Sequence, residues 1–216
     1  MIRCSALLLT MMALLPCAPD LAAQGTVVQG TTAQGTPPRT DSTRPPGKAA
    51  LIFGNNHALT LRAPDAWVLD TRSGKAQGLQ AVFYPQGERW ANSPAVMYSL
   101  VVGREGDIKG VGDMIEYDQA RFRNSSPTAV VLEGAAIPLR AGRNIPTRQF
   151  TGGPKGTLEK VAYIEEGKVI VMIILSCRTP EAFEKSATAF RQLVTSYTFL
   201  ADDRENILRA VEAAEE

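Results

Sequence analysis

Short segments in which apolar and polar residues alternate occupy the middle of the chain. Alternation with a period of two is typical of strands that bury one face. It predicts strands over residues 57–62, 79–84, 95–102, 129–132, 146–151 and 158–164. Residues 169–176 (VIVMIILS) are apolar at almost every position. That pattern favours a strand at the centre of the sheet, covered by helices on both faces.

Three further segments carry apolar residues at helical spacing. In residues 110–124 the apolar positions share one face, and we expect the charged side chains to point outward, namely Asp113, Glu116, Asp118 and Arg121. A second helix is predicted to begin after Thr179, because Thr is a good N-cap and Pro180 suits the first helical position. Its apolar stripe runs from Phe183 through Ala187 to Tyr197. A third, short helix is predicted over residues 202–214.

These elements predict an α+β fold in which a mostly antiparallel sheet is flanked by helices. Residues 48–200 make one globular domain, since about 150 residues suffice to bury a hydrophobic core. Residues 201–216 follow it as a C-terminal helix.

The first part of the chain has a different character. Arg3, the apolar residues 6–15 and the small pair Ala22 and Ala23 are typical of a secretory signal peptide, which we place at residues 1–23. Residues 24–47 are rich in Gln, Gly, Thr and Pro, and this composition predicts a disordered tether. We therefore expect a periplasmic or extracellular location. Cys17 leaves a lipoprotein anchor open as an alternative, although Pro16 stands where such signals carry a small residue.

Two short sequence patterns lie at opposite ends of the predicted domain. Pro64 and Trp67 form a Pro-x-x-Trp entry, and Ser176, Thr179 and the run SYTF at 196–199 close the domain. This order of parts resembles the PsbP/Mog-type fold shared by photosystem PsbP proteins, the Ran-binding Mog protein and the bacterial envelope protein DcrB. In that pattern a Gly precedes the Trp, whereas this chain has Ala66. The resemblance implies an α/β/α sandwich and a non-enzymatic accessory or binding module, and it assigns no functional residue.

Charge and reactive residues narrow the function classes. Lys and Arg number 23 and Asp and Glu 22, without a basic stripe interleaved with aromatic residues, so nucleic acid is not an expected partner. His57 is the single histidine, and Cys177 is the single cysteine beyond the signal peptide. A zinc site would need more such residues. A Ser-His or Cys-His mechanism would have to use His57, which stands at the start of the first predicted strand, and no nucleophile elbow (G-x-S-x-G) occurs in the sequence. We therefore expect no catalytic residues, no metal and no cofactor.

The residues that depart most from a structural pattern are Arg89, Trp90 and Asn92, which stand in a polar segment. Trp and Arg are enriched at interaction hot spots, so these three are the candidate partner-binding residues. The alternative is that Trp90 caps the core. The sequence thus predicts an exported, non-enzymatic accessory or protein-binding module of the bacterial cell envelope, with another envelope protein as its partner. A hydrolase or a small-ligand carrier without a recognisable motif stays open as the alternative.

Overall fold

A computed structural model describes residues 49–153 and 156–215 of the chain. The predicted signal peptide, the predicted tether and Cys17 lie outside these residues. The ten strands are β1 (Ala49–Gly54), β2 (His57–Arg62), β3 (Trp67–Asp70), β4 (Val82–Pro85), β5 (Ala95–Gly103), β6 (Val130–Pro138), β7 (Asn144–Thr151), β8 (Leu158–Glu166), β9 (Val169–Cys177) and β10 (Thr198–Ala201). The three α-helices are α1 (Val111–Ser125), α2 (Pro180–Thr195) and α3 (Arg204–Glu215).

Seven of the strands form one sheet in the order β3-β4-β5-β9-β8-β7-β6. Every neighbouring pair in it is antiparallel. The central strand is β9, and all nine of its residues are buried. Its alternate side chains supply two cores, since Ile173 and Leu175 face one cluster while Met172 and Ile174 face another. The prediction of a strand buried on both faces is confirmed.

The two faces of this sheet are covered by different elements. On one face, α1 contributes Met114, Ile115 and Phe122 to the core. On the other face lie α2 and a second, three-stranded sheet of order β1-β2-β10. The far side of that small sheet carries α3, whose Ile207 packs with Ala58 and Ala201. The expected fold class, a mostly antiparallel sheet flanked by helices, is confirmed.

The start of α2 has the structure that its sequence predicts. The Thr179 hydroxyl accepts a hydrogen bond from the Ala182 N–H at 3.2 Å, and Pro180 occupies the first turn. The apolar stripe is partly different, because Ala187 is exposed and Leu193 is buried. None of the described helices is long and apolar enough to cross a membrane.

Three short strands were not predicted: β1, β3 and β10. Each is only four to six residues long, which leaves little room for alternation to show, and β10 pairs with β2 from the other end of the domain. Strand β6 also extends from Val130 to Pro138, six residues past the predicted end, with a register shift between Gly134 and Ile137. That irregularity breaks the alternation on which the prediction depended.

Candidate interaction site at the Trp90 loop

The loop of residues 86–94 joins β4 to β5, and we call it the Trp90 loop. At its start, the Gln86 N–H donates to the Ala66 carbonyl at 2.8 Å. Along its length, the Arg178 Nη2 donates to the Ala91 carbonyl at 2.7 Å. Near its end, Ser93 is buried and its hydroxyl is hydrogen-bonded. These contacts hold the loop at several points, so its side chains are presented from an ordered backbone.

The three candidate residues of this loop have different environments. Trp90 is half-buried and meets Tyr98 edge to face, with the ring centroids 6.3 Å apart and the planes at 88°. Arg89 and Asn92 are exposed. The structure therefore places Trp90 against the core beneath α1 and leaves its two neighbours in solvent. Trp90 packs against the core and keeps part of its side chain accessible. The partner-binding role of the three residues stays a prediction.

Tyr98 belongs to a group of polar side chains that the sequence analysis did not identify. We call it the polar cluster, and its members are Tyr98 on β5, Asp118 and Arg121 on α1, Glu159 and Tyr163 on β8, and Ser176 on β9. It lies between α1 and the large sheet, among the apolar residues of the core that α1 covers. Buried polar groups are stable in such a place only when they are hydrogen-bonded.

Asp118 is the centre of this bonding. Its Oδ2 accepts a hydrogen bond from the Tyr163 hydroxyl at 2.7 Å. Its Oδ1 accepts from the Arg121 Nη2 at 2.8 Å, which is also an ion pair across one turn of α1. The expectation that Asp118 points outward was wrong, because Asp118 is only 6% exposed. The pairing with Tyr163 offsets the cost of burying the carboxylate, and α1 is thereby tied to β8.

Glu159 is the second buried acid of the cluster. Burial is the main cause that raises its pKa to about 7; the charge of Asp118 adds to the effect, while Arg121 and a hydrogen bond from Ser176 oppose it. The Ser176 hydroxyl lies 3.4 Å from the Glu159 Oε1. Burial and the Glu159 charge likewise raise the pKa of Tyr98. The cluster therefore holds a carboxyl group that exchanges its proton near neutral pH.

A signal for Glu159 was present in the sequence. In the segment LEKVAYI, Glu159, Val161 and Tyr163 alternate and so share one face of β8. That face is the one beneath α1, and a carboxylate in an otherwise apolar series indicates a buried acid. Asp118 gives a weaker signal, since it stands three residues after Ile115 and four before Phe122, within the buried stripe of α1.

Most of the polar cluster is enclosed. Asp118 and Glu159 are each 6% exposed and Tyr163 is fully buried, while the Arg121 side chain is 36% exposed. The arrangement joins α1 to the sheet below the Trp90 loop.

The other reactive residues lie apart from this cluster. Cys177 is buried, and burial raises the pKa of its thiol to about 12, which leaves it protonated at neutral pH. The His57 Nδ1 lies 3.1 Å from the Asn56 Oδ1, and burial lowers the pKa of the imidazole. Within residues 49–153 and 156–215, no three His, Cys, Asp or Glu side chains are arranged to hold a metal ion.

No protein-family model matches this chain, and no curated protein sequence matches it either. Several solved structures, however, match the structure of this chain. PsbP (CyanoP) from Synechocystis sp. PCC 6803 is 14% identical with a TM-score of 0.44, and the match covers 76% of this chain and 99% of that one. LpqN, involved in cell envelope biogenesis of Mycobacterium tuberculosis, is 13% identical with a TM-score of 0.46, over 70% and 90%. The Saccharomyces cerevisiae Ran-binding protein Mog1p is 10% identical with a TM-score of 0.47, over 74% and 97%.

PsbP and Mog1 are also the proteins that the sequence resembles. The likeness concerns the fold, and no residue role is transferred from these proteins to this chain.

Proposed function

We propose that this chain is an exported accessory module of the bacterial cell envelope that binds another protein through the Trp90 loop. The observation that carries the proposal is the loop itself: a half-buried Trp90 anchored on Tyr98, with Arg89 and Asn92 exposed beside it. An ordered backbone lowers the entropic cost of binding. Aromatic and Arg side chains are the residue types that carry most binding energy at protein interfaces.

The same proposal holds that the module is not an enzyme. Among the described residues, the two buried acids Asp118 and Glu159 are enclosed, the one cysteine is buried and the histidine has an Asn side chain as neighbour. The hydrolase alternative would need a polar cleft that collects His57 with carboxylates from separate strands. The small-ligand alternative is tested by native mass spectrometry of the purified protein.

Site-specific photocrosslinking tests the loop. A photoreactive residue replaces Arg89 in cells that express the protein, and a matched control replaces Arg123, which is exposed near the end of α1. We expect a discrete protein adduct from position 89 that position 123 does not give. Identical adducts from the two positions, or none from position 89, would overturn the loop as the binding site. Both positions are exposed, so neither change should prevent folding.

Export and anchoring are tested by fractionation. We expect the mature protein in the periplasmic or extracellular fraction, with an N-terminus at Gln24. Recovery in the membrane fraction that a Cys17→Ser change abolishes would establish the lipoprotein alternative instead. A cytoplasmic protein that still carries residues 1–23 would contradict export altogether.

A further inference from the structure

Two surface clefts follow one another along the second half of α2. The first, of about 270 Å³, is lined by Ala135, Ile137, Lys160, Ala187, Thr188, Phe190 and Arg191. The second, of about 530 Å³, is lined by Arg62, Ala63, Pro64, Asp65, Arg140, Gln192, Thr195, Ser196, Tyr197 and Thr198. The first lies between α2 and Ala135 and Ile137, and the second lies between the end of α2 and residues 62–65, with Arg140. Because they adjoin successive residues of α2, we treat them together as the α2 groove.

Four cations line the α2 groove: Arg62, Arg140, Lys160 and Arg191. None of them forms an ion pair with an acidic residue in the described part of the chain, although five other arginines do. The whole chain carries a net charge of only +1. The positive charge is therefore a local property of the groove and not a reflection of overall composition.

The acidic groups near the groove do not neutralise it. Asp65 lines the larger cleft, where its Oδ2 accepts a hydrogen bond from the Gln192 Nε2 at 3.3 Å. Glu166, next to Tyr197, is paired with Arg143 at 2.6 Å and accepts a hydrogen bond from the Tyr197 hydroxyl at 3.2 Å. Counting only side chains that line the two clefts, the groove has four cations and one anion.

Lys160 lies in surroundings that disfavour its positive charge. Its side chain is half-buried, and its ammonium lies 5.9 Å from the centre of the Phe190 ring. Burial lowers the pKa of Lys160, Arg191 lowers it further, and the opposing effect of Glu184 is the smallest of the three. An anion bound in the groove would supply the charge that the protein itself does not.

We propose that the α2 groove binds an extended acidic segment of the partner protein. This inference rests on the proposed function and gives it a second contact surface, on the opposite face of the large sheet from the Trp90 loop. Complementary charge favours carboxylate side chains, and Arg binds them in bidentate geometry. The larger cleft also has the Thr198 side chain in its lining, with Arg62 and Arg140.

The shape of the groove favours a segment of chain over a compact ion. Its cations are distributed over two successive clefts, so one small anion would contact only part of them. Nucleic acid is disfavoured because the groove offers no exposed aromatic ring on which a base could stack: Phe190 is fully buried and Tyr197 is 9% exposed.

A charge-matched binding experiment tests the groove. Fluorescein-labelled hexaglutamate is titrated with the full mature chain, and fluorescence anisotropy is recorded at about 0.02 M and about 0.15 M salt. The variant Arg140→Gln/Arg191→Gln removes two groove cations. The control Arg123→Gln/Arg209→Gln removes the same charge from α1 and α3. We expect the groove variant to weaken binding about tenfold and the control less than about twofold.

A second measurement follows Lys160 directly. Its side-chain amine is titrated by NMR with and without hexaglutamate, and we expect its pKa to rise when the peptide binds. Equal weakening by both double variants, or an unchanged Lys160 pKa, would overturn the groove as the site. Tighter binding of an oligonucleotide of equal charge, or of tripolyphosphate, would overturn the acidic segment as its ligand.

This result is separable from the proposed function. Failure of hexaglutamate to bind, with adducts still formed from position 89, removes the groove and leaves the Trp90 loop. Peptide binding without adducts from position 89 removes the loop and leaves an acidic partner at α2.

Discussion

Two neighbouring residues of one strand have different environments on the two faces of the large sheet. Glu159 and Lys160 are adjacent on β8, so the pleat sends one toward α1 and the other toward α2. Under α1, Glu159 is enclosed with Asp118, Arg121 and other polar partners. Under α2, Lys160 lines an open cleft beside a second cation.

The charged groups on the α1 face stabilise the fold, whereas we propose that those on the α2 face bind a ligand. Burial pushes both residues toward their neutral forms, since it raises the pKa of Glu159 and lowers the pKa of Lys160. On the α1 face the protein provides counter-charges and hydrogen bonds of its own. On the α2 face the described residues provide few, and we expect the two faces to respond differently to the same kind of change.

The largest effect is expected from Asp118→Ala. The change leaves the Tyr163 hydroxyl and the Arg121 guanidinium without their shared partner beneath α1. The unsatisfied, buried Tyr163 hydroxyl and the lost partner of the partly exposed Arg121 together cost about 4 kcal/mol. Urea denaturation measures the free energy of unfolding, with Glu116→Ala on the exposed face of α1 as control. A loss no larger than that of the control would show that the polar cluster does not hold α1.

The second prediction concerns the pH dependence of stability. The pKa of Glu159 is about 7 in the folded protein against 4.5 ordinarily, so the folded state keeps a proton that the unfolded state releases. The contribution of this group is complete below pH 4.5 and is lost as the pH rises to about 7. It amounts to on the order of 3 kcal/mol.

Glu159→Gln isolates that contribution, because the amide cannot titrate and keeps nearly the same shape. The difference in unfolding free energy between this variant and the unaltered protein should change across that pH interval and be constant above it. A difference that is flat from acidic to neutral pH would show that Glu159 titrates normally.

A smaller, stabilising effect is expected from Ala66→Gly, at the edge of the larger cleft on the α2 face. Ala66 has φ of 60°, and the Trp67 N–H donates to the Pro64 carbonyl at 3.1 Å, which makes a β-turn with a left-handed third residue. An L-residue pays about 1 kcal/mol for that conformation, and Gly does not. We expect the midpoint temperature of thermal unfolding to rise by a few degrees. A lower midpoint would mean that the flexibility of Gly in the unfolded chain outweighs the relief.

The smallest effect is expected from Lys160→Met. Removing this charge relieves its repulsion with Arg191 and leaves the contact with Phe190 to an apolar side chain. We expect stability to change by less than about 0.5 kcal/mol, in the favourable direction. A loss comparable to that of Asp118→Ala would mean that Lys160 is as structural as the acids on the other face. The comparison between the two faces would then fail.

The sequence predicts the architecture much better than it predicts the pairing of charges. The apolar run of β9 and the capped start of α2 are local signals, and both appear in the structure. The left-handed backbone of Ala66 is also a local feature, but the sequence analysis did not predict it. Strand β10 depends on β2, a partner far along the chain, so local periodicity did not reveal it. Strand β1 pairs with its neighbour β2, but the apolar run of its six residues hardly alternates with polar ones.

The candidate site divides in the same way. The sequence singled out the Trp90 loop, but it did not indicate the contacts of that loop with Tyr98, Ala66 and Arg178. The polar cluster depends instead on the meeting of α1 with β8, some 45 residues later, as in the bond from Tyr163 to Asp118. The α2 groove likewise collects cations from β2, the turn before β7, β8 and α2. No spacing in the sequence records such a meeting.

The position of β9 between β5 and β8 governs the order in which the fold can assemble. Strands β6 to β9 pair each with the next, so they can zip together as successive hairpins. Strand β5 pairs with β9 from Ala95↔Cys177 to Gly103↔Val169, across a long intervening chain. Closing that span costs entropy that only the finished meander offsets. A polypeptide halted before β9 would therefore lack the strand that joins β3, β4 and β5 to the rest of the large sheet.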